Sequence, residues 1–389
     1  MKFYSCRKYF RNAHVFILIF LLIAPVFAIS DEQTTEKFEA AVKAKLEAFV
    51  KENSLPGAVA AFVLKDGSYA AVPAGVSDIE NQTPLKITDR LLSGSIGKTY
   101  FAAVVMQLVA EKKLNLDAKI SKWLAKEPWF KRLPNGPGIT VRMLMNHTSG
   151  IPEHVRVPEF GAAVGDDPDR VWEHHELLEY ILGSEPKFEA GQGWSYADTN
   201  YIVLGIILEK ITGTALYDEL KERVLKPLKL NDTVPSNNRV IPHLIPGYAG
   251  EFNPFKKPGK SIIDGKLVIN PQVEWTGGGL ACTTLDLARW GWLVYQGKAF
   301  PMELMDQVLE GPRAQTGPQD RYGLGVIIWP GKHGTCWGHS GWFPGYISQM
   351  AFYVDHKISI ALQINTDMLP GASGKMREMV DEIAGILTQ

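Results

Sequence analysis

Cysteine is scarce: there are three in 389 residues, Cys6, Cys282 and Cys336. No CxxC pair and no HExxH run occurs among them and the nine histidines, so spacing offers no zinc site. His174 and His175 are adjacent. On a helix that points them about 100° apart, unlike an i, i+4 ligand pair. No metal and no other cofactor is expected. Charge of one sign is lacking too: 41 basic and 42 acidic residues give a formal net charge of −1. A nucleic-acid binder is usually clearly basic. Beyond the N-terminus no apolar run approaches the roughly 20 residues that cross a bilayer, and there is no internal repeat or low-complexity tract. What is present is ordinary globular composition, 46% hydrophobic and 21% charged. The length suggests roughly two domains or one large domain with an insertion, and such a chain needs no disulfide scaffold.

The first 28 residues differ from the rest. Lys2, Arg7, Lys8 and Arg11 precede the uninterrupted apolar run Val15–Ala24, and Val26-Phe27-Ala28 forms a small-residue cleavage site. This pattern reads as a secretory signal peptide, with an uncleaved membrane anchor as the alternative. Cleavage near Ala28 would release a chain of net charge −5 into the periplasm or the medium. Contact with a membrane is expected only if the segment stays attached. In an oxidising compartment Cys282 and Cys336 form a possible disulfide; two buried free thiols are the other reading.

Hydrophobic spacing organises residues 31–389. Phe38, Val42, Leu46 and Phe49 recur at helical spacing and predict a helix over 31–53. Runs 57–64 and 68–76, separated by Lys65-Asp66-Gly67, predict a β-hairpin. Residues 95–111 read as a helix apolar on most faces, hence buried. Further helices are expected over 171–182, 201–211, 216–224, 284–295 and 373–388. Strands are expected over 322–329, 334–338, 345–354 and 358–364. Strands thus lie at both ends and helices in the middle. The expected fold is α+β: an antiparallel β-sheet flanked by helices (31–98 and 276–389) with an inserted mainly helical region (99–275), forming one unit.

The chemistry narrows by exclusion. A Gly-x-Ser-x-Gly elbow has no match: Ser93-Gly94-Ser95-Ile96-Gly97 fails at its first position and Gly338-His339-Ser340-Gly341-Trp342 at its last. Ser-x-x-Lys occurs three times. Ser5–Lys8 lies in the leader, and Pro186 disfavours helix within Ser184–Lys187. Ser95–Lys98 alone opens a long buried helix. There i and i+3 share a face, and free N–H groups favour a developing oxyanion.

Five ordered segments carry a family resemblance. Ser95-Ile96-Gly97-Lys98-Thr99 is followed by Leu144-Met145-Asn146-His147-Thr148-Ser149-Gly150-Ile151-Pro152. Then come Tyr196-Ala197-Asp198-Thr199-Asn200-Tyr201 with Leu204-Gly205, and Gly278-Gly279-Leu280 with Thr283 and Asp286. Gly338-His339-Ser340-Gly341 with Pro344-Gly345 is the last. Together they resemble the serine β-lactamase and penicillin-binding superfamily, in the branch holding class C β-lactamases, D-Ala-D-Ala carboxypeptidases, esterases and amidases. The resemblance implies a β-lactamase/transpeptidase-like fold with a site between sheet and helical region. It makes Ser95 the acyl-forming nucleophile. Lys98 would lower its partner's pKa or accept the serine proton, and Tyr196 would be a phenolate-type base and later the acid. His339 would take the place of the third-motif lysine. Gly341 and Trp342 would lie at the substrate, with the amides of Ser95 and Trp342 as oxyanion hole. The substrate would be a small molecule or a peptidoglycan-like acyl group.

Two departures from the family pattern matter. Asp198 stands where asparagine is usual, and a carboxylate only accepts hydrogen bonds. It would hold Lys98 protonated and disfavour penicillins and peptides relative to esters. His339, neutral near pH 7, is a weaker carboxylate anchor than lysine, so efficient β-lactam hydrolysis is not expected. The rival to a hydrolase is a non-catalytic or slowly turning-over penicillin-binding or sensing protein on the same scaffold. Trp194, Trp275 and Trp342 lie near the motifs, either as walls of an acyl pocket or as packing between sheet and helices.

Overall fold

The computed structural model describes residue 1 and residues 27–389, with side chains from residue 35. The basic and apolar runs of the leader fall on residues 2–26, outside the described residues. No helix among the described residues is long and apolar enough to cross a membrane.

An eight-stranded antiparallel sheet organises the molecule. Its main strands are β1 (Gly57–Val63), β2 (Tyr69–Asp78), β3 (Ile327–Gly331), β4 (Gly334–Phe343), β5 (Tyr346–Tyr353) and β6 (Ile358–Ile364). The spatial order is β3-β4-β5-β6-β1-β2, with the short strands Arg321–Tyr322 and Thr83–Pro84 at the edges. The two chain ends meet where β1 pairs with β6, Ala58 opposite Ile364 and Val63 opposite Ser359.

β1 shows why this sheet is central. All seven of its residues are buried. Val59, Ala61 and Val63 enter one core, whereas Ala58, Ala60 and Phe62 enter another, as a period of two dictates when both faces are covered. The second core is closed by α1 (Phe27–Glu52) and the C-terminal α5 (Ala372–Leu387), through Val42, Leu46, Met379 and Ile383. The first core is closed by α2 (Gly97–Ala110), α4 (Thr284–Tyr295) and the helical region containing α3 (Asp198–Thr212).

Three expectations change. Residues 171–182 form only a single 3-10 turn, His174–Leu178. The chain before it is held extended by Gln272, whose side chain accepts from the Trp172 N–H at 3.0 Å and donates to the Trp172 carbonyl at 2.9 Å. The strand expected over 322–329 is broken, because Gly323 and Gly325 turn the chain between Tyr322 and Ile327. The possible disulfide is also corrected: Cys282 and Cys336 are free and buried. They sit in separate cores on opposite sides of the sheet, beyond the span of a disulfide. A small sheet of Leu91–Leu92, Leu280–Cys282 and Thr233–Pro235 was not expected, since two- and three-residue strands are too short to show a period.

Candidate active site

β3 leaves β4 at Gly338. The turn carrying Ser95 packs against the stretch of β4 that follows. Gly94 has φ +53°, and a Cβ there would lie 2.5 Å from the Trp342 amide nitrogen. Gly341 meets the Ser93 carbonyl so closely that a side chain has no room. Both glycines are therefore required by backbone approach. The Trp342 amide is thereby set beside the residue preceding Ser95. Ser95 lies in a 3-10 turn, Gly94–Ile96, that runs straight into α2.

Lys98 is one turn further on and fully buried. Its Nζ donates to Ser95 Oγ at 3.1 Å, to Asp198 Oδ1 at 2.5 Å and to the Gly277 carbonyl oxygen. All three ammonium protons are thus used. Burial alone would lower the Lys98 pKa, but the Asp198 carboxylate, helped by Tyr196, outweighs it and holds the ammonium above its usual range. Burial, with Glu153 adding to it, raises the Asp198 carboxyl against the pull of Lys98. The resting state is an ion pair with the proton on Lys98.

Tyr196 lies over this pair, with Lys98 Nζ 4.9 Å from its ring centroid. Burial pushes its hydroxyl up to about 12, against the pull of Lys98 and of Ser95 beside it. The ring is positioned by His147, whose own ring lies tilted against it with centroids 4.2 Å apart. His147 has φ +62° and is fully buried. Its Nδ1 accepts from the Ala197 N–H at 3.3 Å, so Nε2 carries the ring proton, and burial keeps the imidazole neutral. Ser149 donates to Asn200 Oδ1 at 2.5 Å. The segment around His147 is thus the clamp for the segment carrying Tyr196 and Asp198.

His339 is 1% exposed. Its Nδ1 is 2.6 Å from the Ser340 carbonyl and its Nε2 2.7 Å from the Tyr322 hydroxyl. A carbonyl only accepts, so Nδ1 carries the proton and Nε2 takes the Tyr322 O–H. Burial, then Lys98, drives this ring down to about 3. His339 is therefore a neutral, fully engaged side chain beneath Tyr196, with ring centroids 6.2 Å apart. Trp342 is 42% exposed and lines an open cleft of about 760 Å³ together with Ser95, Tyr196, Asp198 and Glu153. Trp275 is instead buried against His174, with ring centroids 3.3 Å apart, and Trp194 packs edge-on to His147. Of the three tryptophans, Trp342 faces the cleft and the other two pack.

The sequence reading passed over several contributors. Glu153 follows Pro152 directly, just past the motif, and its Oε2 accepts the Asp198 N–H at 2.6 Å; it holds the start of α3. Tyr322 and Gly277 contribute through a hydroxyl and a carbonyl, which carry no spacing signal. Among the described residues no group of histidines, cysteines and carboxylates is arranged to hold a metal.

A serine and a lysine on one buried turn, set between an antiparallel sheet and a helical wall, define the serine β-lactamase and penicillin-binding superfamily. Residues 42–384 match the Beta-lactamase family, and the chain belongs to it. It is 25% identical over 302 residues to Penicillin-binding protein 4* of Bacillus subtilis, covering 75% of this chain and 64% of that protein. It is 26% identical over 333 residues to a D-aminopeptidase of Brucella anthropi, covering 82% and 59%. The chain thus spans under two thirds of either relative. Among solved structures, a D-stereospecific amidohydrolase from Streptomyces sp. matches with TM-score 0.75 and 30% identity over 87% of this chain and 97% of that one. A D-amino acid amidase from Ochrobactrum anthropi SV3 shares the fold at TM-score 0.77 and 20% identity, covering 91% and 99%.

Proposed function

We propose that this protein is a cofactor-independent serine hydrolase that forms an acyl-enzyme on Ser95 and acts on amides of amino acids or short peptides. The observation that carries this is the contact of Ser95 Oγ with a buried lysine whose other protons are fixed by Asp198 and Gly277. Resemblance to an amidohydrolase at 30% identity supports amides as the substrate class, against the ester preference expected from Asp198 alone.

The proton route follows from the charges. Lys98 is an ammonium at rest and cannot take the Ser95 proton until it yields one. Asp198, raised by burial, receives that proton. Ser95 then passes its own proton to Lys98 as Oγ bonds to the substrate carbonyl carbon. The carbonyl electron pair moves to oxygen, which the amides of Ser95 and Trp342 stabilise. Tyr196 is kept protonated by burial; it is the acid that hands a proton to the leaving amine as the C–N bond breaks. Water enters by the reverse roles. The cluster titrates as a unit.

Intact-mass spectrometry with activated esters, amino acid amides and a penicillin tests this. A transient adduct on Ser95 that turns over is expected. A permanent adduct with penicillin alone would favour the sensing reading. Export is proposed from the leader: mass analysis of protein recovered outside the cytoplasm is expected to show a chain beginning near residue 29.

A further inference from the structure

A side pocket of about 40 Å³ opens off the cleft and shares Asp198 and Trp342 with it. Phe160, Phe255 and Val273 supply apolar wall; beside the shared Asp198 carboxylate, the polar lining is His154 and Glu274. Each of these two carries a buried atom without a partner, His154 Nε2 and Glu274 Oε2. His154 itself is 1% exposed. Buried polar atoms are paired in the large majority of cases, so two in one small pocket call for an occupant.

The hydrogen-bond pattern says what that occupant offers. Thr199 Oγ1 gives its proton to the Pro152 carbonyl at 2.8 Å. It can therefore only accept from His154 Nδ1, 2.9 Å away. Glu153 Oε1 is a second acceptor 3.3 Å from Nδ1, so Nδ1 carries a ring proton, and in the neutral ring Nε2 presents a lone pair. Glu274 lies near Asp198 and Lys98; burial, then Asp198, pushes its carboxyl up to about 8, with Lys98 opposing. At neutral pH it is mainly a protonated carboxyl, a donor. A hydroxyl is the smallest side-chain group that both gives a proton to Nε2 and accepts one from a carboxyl.

We propose that this pocket is a specificity subsite for an acyl side chain ending in a hydroxyl on a short apolar stem, with His154 and Glu274 as its recognition pair. The proposal rests on the Ser95 acyl-transfer reading and adds the identity of the acyl group. Sites built to hydrogen-bond a substrate hydroxyl reject the analogue lacking it far more strongly than apolar pockets reject a missing methylene.

The test compares amides differing by one hydroxyl, seryl against alanyl and threonyl against 2-aminobutyryl, each in D and L form. In wild type the hydroxylated member of at least one pair is expected to have a kcat/KM about tenfold or more higher. Glu274→Met is expected to bring that ratio towards one, and Glu274→Gln, which still donates, to retain part of it. Ratios near one throughout, or a ratio unchanged in Glu274→Met, would overturn the proposal and leave the pocket to water. The ratio cancels any general loss of activity in a variant. If no adduct forms on Ser95, the hydrolase reading fails separately. Calorimetric binding of the same amide pairs to Ser95→Ala then reads the pocket's preference without the chemistry.

Discussion

Replacing Asp198 by asparagine is the sharpest test of the proton route. Asp198 Oδ1 lies 2.5 Å from Lys98 Nζ, and the lysine side chain is fully buried while the aspartate side chain is 23% exposed. Asparagine keeps an oxygen for Lys98 but removes the charge. Two unit charges about 4 Å apart attract by about 4 kcal/mol at an effective dielectric near 20, which corresponds to roughly a thousandfold in the proton affinity of Lys98. Asparagine also removes the proton acceptor. General-base catalysis of this kind contributes about 10²–10⁴ in rate, so acylation near pH 7 is expected to fall by at least ~100-fold. The sign with pH follows. The aspartate holds Lys98 charged well into alkali; without it, Lys98 loses its proton at lower pH and becomes a base directly. The variant should therefore regain acylation as pH rises from 7 to 10, where wild type gains nothing from Lys98. Stopped-flow acylation by an activated ester and by an amide, with intact mass to count adducts, measures both. Unchanged acylation at pH 7, or an unchanged pH profile, would refute the relay. An unchanged ester-to-amide preference would show that Asp198 has no part in substrate choice.

Other outcomes follow from the same geometry. Gly94→Ala, at φ +53° with its Cβ 2.5 Å from the Trp342 nitrogen, should lose acylation by more than about tenfold while keeping native circular dichroism. An alanine variant with normal acylation would mean that the Gly94–Trp342 approach is not needed. His339→Lys, placed where the native ring is 1% exposed, should lower thermal stability without improving turnover of carboxylate-bearing substrates; a clear gain with such substrates would revive His339 as an anchor position. His339 sits near 3 and His174 near 4, both depressed by burial, and His147 lies below its usual value too. Between about pH 6.5 and 4 the unfolded chain binds protons that the folded one refuses, so stability falls as pH falls, by up to about 1.4 kcal/mol per pH unit for each such group. Denaturant midpoints across that range, and their flattening in His339→Gln, read this effect; a flat wild-type profile would argue against neutral buried rings. Alkylation in denaturant without reductant should label both Cys282 and Cys336, and protection of the two together would restore the disulfide.

Much of the fold was legible in local pattern. The helix spanning 284–295 was read to the residue, because its apolar positions repeat at helical spacing and Thr283 caps it. β1 announced itself as a continuous apolar run, as a strand covered on both faces must, and β6 as a β-rich run broken only by Ser359 and Gln363. Residues 171–182 misled because Leu177, Leu178 and Ile181 are buried at spacing that a helix would also produce, while a distant glutamine fixed the backbone otherwise. Ser95, Lys98, Tyr196 and Asp198 could be named from ordered motifs, since each sits in a local turn or helix start that leaves a sequence trace.

Charge states were another matter. Asp198 as the holder of the Lys98 proton was foreseeable from residue type. The Gly277 carbonyl that takes the last ammonium proton was not, nor was Tyr322, whose hydroxyl occupies the His339 Nε2 from 17 residues away. The same holds for the scarce cysteines. Counting them excluded a disulfide scaffold and left one bridge open, and only the two-sided sheet decided that Cys282 and Cys336 face different cores. Sequence determines what chain segments prefer locally, because propensity and periodicity act over a few residues. Which atoms are buried together, and hence which protons are held, depends on desolvation and on neighbours brought from afar, and only the tertiary structure decides that.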